Sequence, residues 1–154
     1  MLERFLPGQA DNRFEGRRAA LWLLGLYIAL KLVMGFNSIF NTASVAVGAD
    51  GIPLDRYGPA AANDVLLLFA LTSLGQLVLA LIALTVLIRY RALVPFIYLV
   101  LIGESVARRL IALTHDVTRP GDAPAPYIVY GLLALLVLGL VLALLPARRR
   151  QIGS

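Results

Sequence analysis

Lys31, Gln76, Glu104 and Arg108 draw notice because each lies inside a run of apolar residues. A carboxylate and a guanidinium four residues apart pair along one helix. An ammonium donates to a carboxylate or an amide, and a carboxamide both donates and accepts. Arg109 adds a second guanidinium, and Asp64 and His115 lie towards the ends of the same runs. The candidate ligand-binding residues are therefore Lys31, Asp64, Gln76, Glu104, Arg108, Arg109 and His115. Together they suit oxygen recognition, since arginine presents a planar fork to carboxylate, phosphate or carbonyl acceptors. Two other readings stay open: a proton or ion path in which Glu104 titrates against Lys31, and a network that only fixes helix register. His115 with Asp116 resembles half of an acid–base or metal site, with Asp50, Asp55, Asp64 or Asp122 as further ligands only if loops fold over it. No spacing requires that, so no catalytic residue, metal or cofactor is assigned.

The elements that must position these residues follow from composition. The chain has 154 residues, 60% hydrophobic and 15% charged, with a mean hydropathy of +0.83, whereas soluble domains carry about 25% charged residues. Four apolar runs, 19–40, 61–88, 92–114 and 127–146, are each long enough to cross a hydrocarbon core of about 30 Å at about 1.5 Å per residue. The expected fold is an all-α polytopic membrane protein whose four transmembrane helices form an up-down-up-down bundle. Residues 1–18 form an N-terminal segment with room for a short interfacial helix, 19–146 the transmembrane domain, and 147–154 a basic tail. Segment 41–60 contains Asp50, Gly51, Pro53, Asp55, Gly58 and Pro59, which predicts an ordered loop of turns. Asn63 and Asp64 are placed to cap the second helix. Asn37 and Asn41, one turn apart on another face from Lys31, suit either a helix end or a contact with that loop or another subunit.

Charge sets orientation. Of 14 basic residues, nine flank the apolar runs in the N-terminal segment, the Arg89–Tyr90–Arg91 turn and the tail, and Arg56 and Arg119 lie in the opposite loops. The positive-inside rule then puts both termini in the cytoplasm, in a bacterial inner membrane. Tyr57, Tyr90, Tyr127 and Tyr130 fall near span boundaries, as an interfacial belt would place them. The absence of cysteine excludes disulfides, thiolate catalysis and Cys-held metal clusters. A single histidine excludes bis-histidine haem. The basic residues do not form a nucleic-acid-reading pattern, so nucleic acid is not an expected partner.

Counting from the cytoplasmic ends, Lys31 lies 12 residues from Ala19, Gln76 12 from Ile88, and Glu104 12 from Ala92. All three reach a level about 18 Å from the inner boundary, in the outer half of the bundle. Left unpaired, Lys31, Glu104 and Arg108 would cost on the order of 8 to 10 kcal/mol to insert. Glu104 is expected to pair with Arg108 and to accept from Lys31 across the bundle, with Gln76 supplying neutral bonds and Arg109 snorkelling outward. Small-residue stripes, Gly25 with Ala29, Gly103 with Ala107, and Gly139 with Ala143 and Ala147, suit close packing within the bundle.

The layout of four spans, with an arginine pair late in the third and ARRLIALTHDV at 107–117, resembles small bacterial DoxX-like membrane proteins. That resemblance implies an accessory membrane component and no catalytic residues. The functional expectation is an inner-membrane binding or accessory protein with a buried polar pocket for an anionic lipid, a carboxylate or a quinone-like ligand. Alternatives are an assembly subunit of a larger complex, a homo-oligomer, a membrane enzyme acting on a lipid or isoprenoid, or a small ion pathway. Membrane lipids are partners in every case.

Overall fold

The computed structural model describes residues 5, 9–115 and 124–146. Among them are five α-helices: α1 (Arg18–Phe40), α2 (Thr42–Gly48), α3 (Pro59–Arg89), α4 (Val94–Leu113) and α5 (Ala125–Leu144). The described residues contain no strand, and one isolated bridge joins Gly16 to Pro146. α1, α3 and α5 are long and apolar enough to cross a membrane. α4 matches α5 in length at 20 residues but carries Glu104, Arg108 and Arg109.

Proline and asparagine set several boundaries. α3, α4 and α5 each have a proline in the first turn, where its fixed φ suits the helix and its missing N–H costs nothing. α3 begins at Pro59 after Gly58, without a side-chain cap bond. Asn63 and Asp64 therefore lie inside the helix, because Pro59 nucleates it a turn earlier than they would. α1 ends at Asn41, whose φ of −120° and ψ of 41° leave the helical region. Its Nδ2 donates to Asn37 Oδ1 at 2.8 Å, so this pair serves the helix end.

Segment 41–60 is more regular than its turn-rich composition predicts. α2 occupies its first part and a 3-10 turn spans Leu54–Arg56. Thr42 Oγ1 donates to the Ile39 carbonyl at 2.8 Å, and Ala46 is completely buried where α2 packs on α1 and α3. Gly51, with φ 66°, reverses the chain so that Ile52 N–H returns to the Ala46 carbonyl at 2.9 Å. Ala125 N–H donates to the Ala49 carbonyl at 3.2 Å, tying the end of α2 to the start of α5.

α1 packs along both α3 and α5, and α4 packs on α5, while α3 and α4 touch little despite the short turn joining them. The core draws on Ala20, Leu24 and Ile28 of α1, Ala83 and Val86 of α3, Val94, Ile97, Tyr98 and Leu101 of α4, and Leu136 and Ala143 of α5. All of these lie in the half of the bundle nearest the α3–α4 turn. In the other half, residues 110–115 of α4 and the turn after it are exposed, as are residues 127–131 of α5. Much of the outer surface is large and apolar, with Trp22 81% and Leu113 76% exposed.

Tyr98 joins three helices. Its hydroxyl donates to the Ala20 carbonyl at 2.7 Å, reaching from α4 to α1 over α5, and the ring end fills the space where Gly139 has no side chain. The Gly139–Ala143 pair thus serves packing within the bundle. Gly103 meets nothing within 4 Å, and Ala107 is exposed, so that stripe lies on the outer face of α4.

Residues 9–17 form no helix and run as a strap beneath the bundle. Ala92 N–H donates to the Asp11 carbonyl at 3.2 Å, and Arg17 N–H to the Leu142 carbonyl at 3.1 Å. The strap crosses from the α3–α4 turn to the end of α5, with Phe14 packed on the core. Backbone partners on both neighbours compete with the local bonds that an interfacial helix would need.

A methyl group at Gly139 must displace the Tyr98 ring, whereas Gly131 on the same helix faces open space. Gly139→Ala should therefore unfold more readily in detergent than Gly131→Ala by about 1–3 kcal/mol, the usual cost of overpacking. Both variants gain the same helix propensity, so their difference in thermal midpoint isolates the Tyr98 contact.

Candidate functional site

Facing side chains of α1, α3 and α4 line a cleft in the gap that α3 and α4 leave open. Tyr27 and Lys31 come from α1, Gln76, Leu79 and Ala80 from α3, and Leu101 and Glu104 from α4, around a small cavity of about 10 Å³. Lys31 follows Tyr27 by one helical turn, so both project towards α3 and α4. Gln76 and Ala80 share a face of α3 by the same spacing, and Leu101 and Glu104 meet them from α4.

Lys31 Nζ donates to Gln76 Oε1 at 2.6 Å and lies 5.9 Å from the centre of the Tyr27 ring. A lysine ammonium only donates, so this bond fixes the carboxamide orientation, with Oε1 towards Lys31 and Nε2 turned away. Glu104 does not accept from Lys31. It accepts from Arg108 Nε one turn further along α4, because an i,i+4 partner on the same helix is already within reach. The Glu104 and Arg108 side chains are 24% and 43% exposed, which puts the pair at the rim. Lys31 is left with a neutral partner, and among the described residues it forms no ion pair.

Arg109 lies 100° round α4 from Arg108 and turns to α5. Its Nη2 donates to the Tyr130 hydroxyl, and its guanidinium stacks 4.4 Å from the ring centre. That contact replaces outward snorkelling, since Tyr130 supplies both an acceptor and a π face. His115 is exposed beyond the end of α4, with Nδ1 3.0 Å from the Ile111 carbonyl and 3.0 Å from Thr114 Oγ1. Asp64 is exposed in the second turn of α3. Neither His115 nor Asp64 lines the cleft. Asp116, Arg119 and Asp122 lie outside the described residues, as do Ala147 and the tail arginines. Among the described residues no cluster of three metal-ligating side chains occurs, and every buried side-chain polar atom has a partner.

The structure thus gathers Lys31, Gln76 and Glu104, with Arg108 at the rim, and separates Arg109, His115 and Asp64 from them. Two tyrosines complete the picture. Tyr27, one turn before Lys31, carried a sequence signal in that spacing. Tyr130 carried none that distinguished it from an interfacial tyrosine.

The Lys31–Gln76 bond is the polar link between α1 and α3 in this layer. Gln76→Leu should leave the ammonium without its acceptor and destabilise the chain by about 1–3 kcal/mol. The double variant Lys31→Met with Gln76→Leu, which removes both partners, should recover most of that loss. Chemical unfolding in detergent measures both, and an additive double-mutant cycle would contradict the contact.

Comparison of the chain with protein-family models, curated proteins and solved structures finds no match.

Proposed function

We propose that α1, α3, α4 and α5 cross a bacterial inner membrane in an up-down-up-down bundle with both termini in the cytoplasm. The protein works there as a binding or accessory component that takes an oxygen-bearing amphiphile into the cleft. Several features support counting α4 as a span. It equals α5 in length, it contributes Val94, Ile97, Tyr98 and Leu101 to the common core, and each of its charges has a partner, Glu104 with Arg108 and Arg109 with Tyr130. The accessory role implied by the DoxX-like layout belongs to the same proposal.

The observation that carries the binding reading is the Lys31 ammonium in a lateral cleft with only a neutral amide as its hydrogen-bond partner. A lysine at the centre of a spanning helix costs about 2.5–3.5 kcal/mol to insert. A structural role alone would be served by turning Lys31 to Glu104, or by an apolar residue. An acceptor oxygen brought by a ligand would use the donors that Lys31 keeps free.

Two measurements test this proposal. The chain has no cysteine, so single labels report topology without background. Asp55→Cys should react with an impermeant maleimide on intact cells and Asn12→Cys only after lysis; equal or reversed labelling would overturn the orientation. Native mass spectrometry of the protein from its own membrane should show a bound amphiphile. Its occupancy should fall about ten-fold in Lys31→Met, the loss of one charged hydrogen bond, and stay unchanged in Tyr130→Phe. A bare protein, or an adduct indifferent to Lys31, would overturn the binding reading.

A further inference from the structure

Resting on the cleft as a binding site, the balance of charges and donors narrows the ligand: we infer that the cleft selects a long-chain carboxylate and admits it sideways, from the bilayer, between α3 and α4. Among the described residues the cleft and its rim carry Lys31, Glu104 and Arg108. Glu104 and Arg108 cancel each other, which leaves one positive charge, on Lys31. In hydrocarbon that charge is penalised. A single negative charge beside it brings the site to neutrality. A neutral ester or quinone leaves the charge standing, and a dianionic phosphate monoester overshoots it while facing Glu104.

The donors fit a carboxylate as well as the charge does. Lys31 has three N–H groups and spends one on Gln76 Oε1. Gln76 Nε2, turned away from Lys31 by that bond, makes no hydrogen bond among the described residues. One ligand oxygen can accept from Lys31 Nζ and the other from Gln76 Nε2 without breaking the bond between the two side chains. Glu104 bonds Arg108 and forms no ion pair with Lys31 among the described residues, so the Lys31 donors not spent on Gln76 stay open to a ligand. The charge of Glu104 repels a second negative charge.

Shape supplies the rest. The cavity of about 10 Å³ has apolar walls at Leu79, Ala80 and Leu101, and it lies where α3 and α4 make little contact. That is space for about one water, so a carboxylate oxygen reaches Lys31 and Gln76 as α3 and α4 give way, and the methylenes lie in the lateral opening among the surrounding acyl chains. A bulky headgroup would have to be drawn from the interface to the level of Lys31, which lies 13 residues into the 23-residue α1.

The test uses the full chain in phosphatidylcholine nanodiscs, with palmitate, methyl palmitate, decylubiquinone and phosphatidylglycerol as probes. Palmitate should bind with one equivalent per chain, and methyl palmitate about ten-fold more weakly. Gln76→Glu, which supplies Lys31 with a carboxylate from the protein itself, should abolish palmitate binding while leaving methyl palmitate unaffected. Glu104→Gln, which removes the repelling charge, should tighten palmitate binding. Gln76→Glu keeps a hydrogen-bonding partner for Lys31, so its result does not depend on tolerating an unpaired lysine. Equal binding of palmitate and its ester, or a preference for decylubiquinone or phosphatidylglycerol, in each case lost in Lys31→Met, would overturn the carboxylate assignment and leave the cleft as a binding site. Failure of every probe to bind in a Lys31-dependent way would overturn both.

Discussion

A phenol buried away from water must find its acceptor within the protein, and Tyr98, fully buried, meets that demand by reaching from α4 across α5 to the Ala20 carbonyl. The reach is open only because Gly139 has no side chain. One hydrogen bond and one missing methyl group thus set how α4 lies against α5 and α1, alongside the burial of Val94, Ile97 and Leu101 in the common core. With α4 committed to that side, little of it is left to pack against α3. The gap between α3 and α4 accompanies a core drawn tight at one end of the bundle, and the cleft lies in that gap.

The polar groups around the cleft obey the same rule of internal satisfaction, with an uneven result. Glu104 is served by its own helix, which makes the rim pair independent of how α4 sits against α1. Lys31 relies on α3, so the Lys31–Gln76 bond also helps register α1 and α3. That division leaves a cation beside a neutral group, where a pairing of Lys31 with Glu104 would have cancelled the charges and left Arg108 alone at the rim. The pattern of partners, more than the residue types, decides which charge is available to a ligand.

The all-helical character and the three long apolar helices are legible in the runs of leucine, alanine and valine, because an apolar run of about 20 residues that satisfies its backbone within itself is a helix. Equal counts from the helix ends brought Lys31, Gln76 and Glu104 to one level, and the three do line one cleft. Counting depth says nothing of which groups bond, and an i,i+4 partner claimed Glu104 before Lys31 could. Tyr98 and Gly139 were invisible for another reason. A tyrosine in an apolar run reads as one more large side chain, and a glycine in a membrane helix is too common to mark a contact. α2 was hidden because TASVAVG is short, rich in β-branched residues and held by Ala46 packing on its neighbours rather than by its own propensity. Arg109 was misplaced because the attraction of Tyr130 comes from a residue 21 positions away.

The strap beneath the bundle has a consequence for how the protein is made. Its bonds join Arg17 to Leu142 and Gly16 to Pro146, which a ribosome synthesises more than a hundred residues apart. α1 is thus complete long before α5 exists to anchor its Arg18 end. During that interval Lys31 has no Gln76 beside it until α3 emerges. The partners that α1 finds on α3 are made first, and those on α5 only afterwards. The clasp between Arg17 and Leu142 can close only after α5 has been made.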